Sequence, residues 1–125
     1  MQNTIRRLPD TELEVMNAVW ACTCPAARAD IEAVLNREHP MAATTILTLL
    51  QRLTDKGFLH IEKQGRINCY TPLIQKHDYL AAQSKRFVEK LCGRSMGTFA
   101  AALRDSGLTH EELKELRSLL EEGKL

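Results

Sequence analysis

The sequence predicts a mainly α-helical fold that contains one small β-hairpin. Apolar residues recur at helical spacing in several separate stretches, whereas one segment after residue 57 alternates between apolar and polar residues. Aromatic residues make up only 5% of the 125 residues, and Leu and Ala dominate the apolar set. Because β-sandwiches and barrels rely on aromatic and β-branched residues, this composition favours a helical interior.

Size and composition limit the class of protein. A chain of 125 residues forms one ordinary domain or two small units that share a core, which excludes a multidomain enzyme. The apolar and charged fractions, 44% and 26%, are those of a globular protein rather than a disordered or membrane-spanning one. No apolar run reaches the roughly 18 residues of a membrane helix, and residues 1–8 lack the apolar core of a signal peptide. We therefore expect a cytoplasmic protein with no membrane partner.

Two helices are predicted in the first 40 residues. The first covers residues 8–21, with Glu12 and Glu14 near its positive end and Pro9, which has no side-chain acceptor, at the cap position. Its apolar residues are Leu13, Met16, Val19 and Trp20. A brief second helix ends near Pro40, because proline disfavours helix in the residue before it. Its apolar residues are Ile31, Val34 and Leu35.

A third helix and a hairpin follow. The helix covers residues 43–56 and ends before Gly57. Its apolar stripe, at positions i, i+3, i+4 and i+7, is Ile46, Leu49, Leu50 and Leu53. Residues 58–63 and 67–71 then alternate around a turn at 64–66, which predicts two antiparallel strands. Three helices and a hairpin are the layout of a winged helix-turn-helix, predicted as a DNA-binding domain over residues 1–74.

The remaining residues, 75–125, predict a helical dimerisation domain. A long helix is interrupted near Gly93 and Gly97, a short helix follows around Phe99, and a last helix begins with a capping box of Thr109 and Glu112. About fifty residues of amphipathic helix cannot bury three apolar stripes on themselves, which predicts a homodimer. The predicted dimer contacts are Leu80, Phe87, Val88, Leu91, Leu113, Leu116, Leu119 and Leu120.

The exposed face of the third helix is the candidate DNA-reading surface, although a net charge of +1 does not itself indicate a nucleic-acid-binding protein. Hydroxyl, amide and guanidinium groups hydrogen-bond base edges and phosphates. The polar residues of this face are Thr44, Thr45, Thr48, Gln51, Arg52 and Asp55. Leu47, at the edge of this face, is predicted to contact either a thymine methyl group, or the second helix or the wing. An ordinary solvated face is the alternative for the whole set.

The predicted wing adds two cations to this surface. Lys63 and Arg66 lie on either side of Gly65, where cations commonly meet the DNA backbone, although solvation alone also explains them. Residues 44–70 carry four basic and two acidic side chains, a local charge of +2 within a nearly neutral chain.

The sequence contains no clear motif for catalysis or cofactor binding. No spacing of nucleophile and base, phosphate-binding glycine loop or paired acids is visible, so we expect neither an enzyme nor a cofactor.

The four cysteines match neither a disulfide scaffold nor paired zinc ligands and are interpreted as reduced thiols. Two alternatives stay open: a thiol or metal switch through Cys22 and Cys24, with His39 or Cys69 as further ligands, and a helical dimer that binds a protein partner.

Three stretches of the sequence, within Leu13–Trp20, Thr45–Phe58 and Tyr70–Leu73, resemble the BlaI/MecI/CopY family of bacterial winged-helix repressors. The resemblance covers most of the chain. It implies a homodimeric repressor on a pseudo-palindromic operator, with the third helix in the major groove and the C-terminal helices dimerising. By this resemblance Thr45, Thr48 and Arg52 are DNA contacts.

The resemblance has limits that concern regulation. Penicillinase and methicillin-resistance repressors are cleaved at an Asn-Phe bond, where this chain has Ala101 and Ala102. Copper-responsive members carry C-terminal Cys-x-Cys motifs, whereas no cysteine follows Cys92 here. Antibiotic-resistance members have cations where this chain has Thr44 and Leu47, which implies a different operator.

Overall fold

The computed structural model describes residues 5–123 and confirms a mainly helical fold with a small antiparallel sheet. In chain order the elements are α1 (Asp10–Ala21), β1 (Ala26–Ala27), α2 (Arg28–Leu35), α3 (Ala43–Asp55), β2 (Leu59–Gln64), β3 (Ile67–Pro72), α4 (Lys76–Arg86), a π-helical turn (Phe87–Leu91), α5 (Met96–Arg104) and α6 (His110–Glu122). Within this range no helix has both the length and the apolar character needed to cross a bilayer.

The chain divides into two compact units, one ending at Gln83 and the other beginning at Ser84. The division predicted from the sequence, at residues 74 and 75, stays a prediction. The outer ends of the two predicted domains, residues 1–4 and 124–125, lie outside the described residues.

The core of the first unit fixes which face of α3 is exposed. All four residues of the predicted α3 stripe are buried, as is Phe58, whose backbone N–H donates to the Leu53 carbonyl at 2.9 Å. The stripe is Ile46, Leu49, Leu50 and Leu53. Gly57 has φ +83°, a left-handed conformation that glycine adopts without steric cost and that turns the chain from α3 into β2. The opposite face of α3 is therefore left to solvent.

α1 buries a different set of residues from the predicted one. Its buried face follows i, i+3, i+4 and i+7 from Glu12 through Val15 and Met16 to Val19, whereas Leu13 and Trp20 are only partly buried. Helical periodicity did not predict the burial of Glu12, because carboxylates are rarely buried without a partner, and its partner, Lys56, lies 44 residues away. Its predicted place near the positive end of the helix is confirmed.

The sheet contains a strand that the sequence pattern did not predict. β1 pairs antiparallel with β3, through Ala26 opposite Tyr70, so that β3 is the central strand of the order β1-β3-β2. Two alanines show no alternation, which is why the pattern missed this strand. The hairpin of β2 and β3 is confirmed, with Gln64 opposite Ile67 and Gly65 at φ +68°, the first central position of a type II′ turn.

The C-terminal helices confirm two predicted features and correct one. The long helix α4 continues as the π-helical turn and then breaks at Gly93 and Arg94, both with positive φ. Gly97 is not part of the break but lies in the first turn of α5, because Ser95 caps that helix by accepting from the Thr98 N–H at 3.1 Å. The predicted capping box of α6 is present: Glu112 N–H donates to Thr109 Oγ1 at 3.0 Å, and Thr109 N–H to Glu112 Oε1 at 2.8 Å.

Within residues 84–123 the second unit has hardly any fully buried side chain. No side chain of α5 or α6 is buried, and Cys92 is the one buried residue among residues 84–123. Phe87 and Phe99 make an edge contact with ring centroids 5.8 Å apart, but Leu91 is 74% and Leu120 58% exposed.

Candidate nucleic-acid interface

The exposed face of α3 carries the polar residues predicted to read DNA. The polar residues of α3 that were predicted to contact DNA are all exposed: Thr44, Thr45, Thr48, Gln51 and Arg52. Asp55 is exposed on the same face. The helix has no side-chain cap at its start, since its N-cap is Ala42. Its first turn therefore presents backbone N–H groups that no side chain of the cap residue occupies.

Hydrogen bonds within α3 distinguish the residues of this face. Thr48 Oγ1 donates to the Thr44 carbonyl at 3.0 Å, so its hydroxyl oxygen is free to accept but its proton is engaged. Gln51 Nε2 donates to Asp55 Oδ1 at 2.9 Å, which leaves one amide proton and the amide oxygen available. The Arg52 guanidinium has no hydrogen bond or ion pair within residues 5–123. Arg52 is therefore the group on this face most available to a partner.

Leu47 lies at the edge of the same face and is 45% exposed. It borders an open cavity of about 330 Å³ that also involves the start of α2 and the first residues of β3. The other lining residues are Ala27, Arg28, Ala29, Ile67, Asn68 and Tyr70. Both alternatives predicted for Leu47 stay open, because it borders α2 and the wing and still presents nearly half its surface to solvent. The cavity was not foreseen, since β1 and the start of α2 were not placed beside the wing.

The wing leaves its two predicted cations exposed. Lys63 lies opposite Asn68 on the hairpin and Arg66 in its turn, and neither is paired within the described part of the chain. Lys56 behaves differently, because its Nζ lies 2.5 Å from the buried Glu12 carboxylate. The charge that residues 44–70 offer to a partner thus falls from the expected +2 to +1.

The cysteines are all free thiols, and they do not come together as a metal site. Cys22 and Cys24 are half-buried in the loop between α1 and β1, whereas Cys69 lies on β3. Burial raises the pKa of the Cys22 thiol, with a smaller contribution from Cys24, and burial also raises the pKa of Cys24. His39, considered as a further ligand, lies beside Glu14, with its Nδ1 atom 3.7 Å from Glu14 Oε2. No group of three potential metal ligands exists among residues 5–123.

Comparison with known proteins gives one consistent result. Residues 8–122 match the model of the penicillinase repressor family. The chain is 33% identical to the penicillinase repressor of Bacillus licheniformis over 96% of this chain and 94% of that protein. It is 29% identical to the methicillin resistance regulatory protein MecI of Staphylococcus aureus strain N315, over 96% and 98% of the two chains.

Solved structures agree with the winged-helix architecture of the first unit. The solution structure of the DNA-binding domain of the repressor BlaI has 34% sequence identity and a TM-score of 0.52, and covers 63% of this chain and 94% of that domain. A structure of monomeric Bacillus licheniformis BlaI in complex with the blaP half-operator matches with a TM-score of 0.51, 34% identity and the same coverage. The chain therefore belongs to the penicillinase repressor family, which is a family of DNA-binding transcriptional repressors and not of enzymes.

Proposed function

We propose that this protein is a homodimeric repressor that binds a pseudo-palindromic operator, with α3 in the major groove and the wing on the DNA backbone. The observation that carries the proposal is the exposed polar face of α3 beside the wing. Arg52 on this face and the two wing cations have no partner among the described residues 5–123. The half-operator complex of a relative with 34% identity supports the same use of this domain here.

Within this proposal the residues of the interface have different roles. Arg52 hydrogen-bonds a guanine edge or a phosphate, and Gln51 pairs with adenine once its amide leaves Asp55. Thr44, Thr45 and Thr48 offer hydroxyl oxygens to base edges and phosphates. Lys63 and Arg66 contact phosphates, which fixes the position of the wing without reading sequence.

The second unit supports a dimer. Leu91 and Leu120 stay exposed in the single chain, and an exposed apolar surface typically marks an interface. The other apolar residues proposed as contacts in this unit are only partly buried: Phe87, Val88, Leu113, Leu116 and Leu119. The proposed contacts in this unit are Phe87, Val88, Leu91, Leu113, Leu116, Leu119 and Leu120. Leu80, an exposed residue of α4 that precedes this unit, is a further proposed contact. A two-fold dimer presents two copies of α3 related by the same axis, which is why we propose a pseudo-palindromic operator.

Selection of genomic DNA tests this function. The purified protein is incubated with genomic fragments at physiological salt, and the affinity of the enriched fragments is measured across a salt series. We expect a two-fold-symmetric site whose affinity falls steeply as salt rises, because phosphate contacts release counterions. If no DNA sequence is enriched and the protein associates with other proteins independently of salt, the alternative of a helical dimer that binds a protein partner is favoured instead.

Arg52→Ala is expected to weaken operator binding by about 1 to 3 kcal/mol, because its guanidinium, which has no partner within residues 5–123, is the group proposed to read a base. Fluorescence anisotropy with the enriched operator measures the loss. The matched control is Arg104→Ala, which removes another exposed guanidinium, 71% exposed, from α5 in the second unit. Equal affinities for Arg52→Ala and the wild-type protein would exclude Arg52 from the interface.

The double variant Cys22→Ser, Cys24→Ser is expected to keep wild-type operator affinity with or without hydrogen peroxide or Zn²⁺. A lowered pKa favours the redox reactivity of a thiol, whereas burial raises the pKa of both thiols. No group of three potential metal ligands exists among residues 5–123. Serine retains the donor with which Cys24 Sγ contacts the Val19 carbonyl at 3.5 Å. Oxidant-dependent binding by the wild-type protein that the double variant lacks would establish the thiol switch instead.

A further inference from the structure

The buried ion pair of Glu12 and Lys56 connects α1 to the end of the proposed recognition helix. Glu12 is 4% exposed and is the one buried charged residue within residues 5–123. Its Oε1 atom lies 2.5 Å from Lys56 Nζ, and the lysine side chain retains 24% of its exposure. A carboxylate is costly to bury unless a cation compensates it, so the pair holds the two helices together at this point.

Both partners lie at helix ends whose dipoles favour their charges. Glu12 is in the first turn of α1, near its positive end, and Lys56 is the C-cap of α3, near its negative end. The Lys56 N–H also donates to the Arg52 carbonyl at 3.0 Å. Lys56 is followed directly by Gly57, where the chain turns toward the wing. A main-chain hydrogen bond in the last turn of α3 thus joins Lys56 to Arg52.

We propose that Glu12 and Lys56 are positioning residues for operator recognition. The ion pair fixes the C-terminal end of α3 against α1, and thereby sets the angle and depth at which Arg52 meets base edges. This inference rests on the proposed DNA-binding function. It assigns Lys56 a role inside the protein rather than on a phosphate, although Lys56 lies among the basic residues next to the wing.

The variant Glu12→Gln tests the proposal because it removes the charge and keeps the shape of the side chain. The enriched operator and a random duplex of equal length are titrated across a salt series at a temperature where circular dichroism shows native helix content. We expect the preference for operator over random DNA to fall about 2- to 30-fold. Affinity for random DNA should stay unchanged, because phosphate contacts tolerate a small rotation of α3.

Two further variants separate a positioning role for the pair from a phosphate contact by Lys56 and from a loss of folding. Lys56→Arg keeps a cation opposite Glu12 and is expected to retain the wild-type preference. The double variant Glu12→Gln, Lys56→Met removes both charges, so it folds more readily than a variant that leaves one buried charge without its partner. Its preference for operator over random DNA is expected to fall as that of Glu12→Gln does. Its salt dependence should match that of the wild-type protein, since the Lys56 ammonium does not neutralise a phosphate.

The proposal is overturned by either of two results. One is an unchanged operator preference in both variants that lack the pair, even if both are less stable. The other is a salt slope that falls by about one in the double variant with unchanged preference, which identifies Lys56 as a phosphate contact. A wild-type protein that enriches no DNA sequence would contradict the proposed function itself, and it is recognised before any variant is compared.

Discussion

Leu120→Lys is expected to convert the proposed dimer into a monomer and to weaken binding to the proposed two-fold operator by about 10²- to 10⁴-fold. Leu120 is 58% exposed in the single chain, so the substitution removes little from the folding of α6 itself. In a two-fold interface every substitution occurs in both copies, which places two desolvated ammonium groups in one apolar contact. Each half-site then binds independently, and the effective concentration that joins the two half-sites is lost.

Ser118→Lys is the matched control, because it adds the same charge to the last turns of α6 on the face opposite the leucine stripe. Analytical ultracentrifugation measures the oligomeric state, and titrations with a complete operator and with a half-site measure binding. We expect Leu120→Lys to leave half-site affinity unchanged and Ser118→Lys to behave as the wild-type protein. A dimer that persists in Leu120→Lys would mean that α6 does not form the interface.

The elements that the sequence predicted correctly are those with strong local signals. The α3 stripe repeats over two turns and ends at Gly57, so periodicity alone located both the helix and its exposed face. The hairpin alternates around Gly65, and the capping box of α6 places Thr109 three residues before Glu112. The residues proposed to contact DNA follow from these elements, since they are the polar positions left exposed on α3 and the wing.

The features that the sequence did not reveal depend on contacts between distant residues. β1 exists because Ala26 and Ala27 pair with β3, and two alanines carry no pattern of their own. From the sequence Glu12 is an acidic residue at the start of a helix. Its burial depends on the charge of Lys56, which the sequence pattern does not place beside it. The local charge was overestimated for the same reason, because one of its four cations is neutralised from inside the core.

Leu50→Ala is expected to lower the free energy of unfolding by about 2 to 5 kcal/mol. Leu50 is fully buried in α3, within the core built from α1, α2, α3 and the sheet. Truncation removes three carbon atoms and leaves a cavity that the surrounding side chains fill only in part. Since domains of this size are stable by about 5 to 15 kcal/mol, the loss is a large fraction of the total. Urea unfolding at a fixed protein concentration, followed by circular dichroism, measures it.

Leu47→Ala is the matched control, since it makes the same truncation three residues earlier, at a side chain that is 45% exposed. We expect its unfolding free energy to fall by much less than that of Leu50→Ala, because Leu47 does not belong to the core. The same pair of variants also decides the role of Leu47. If Leu47 meets a thymine methyl group, its truncation weakens operator binding at nearly unchanged stability. If it only packs toward α2 and the wing, stability falls and the affinity of the folded protein does not. A stability loss as large as that of Leu50→Ala would contradict the assignment of Leu47 to the exposed face of α3.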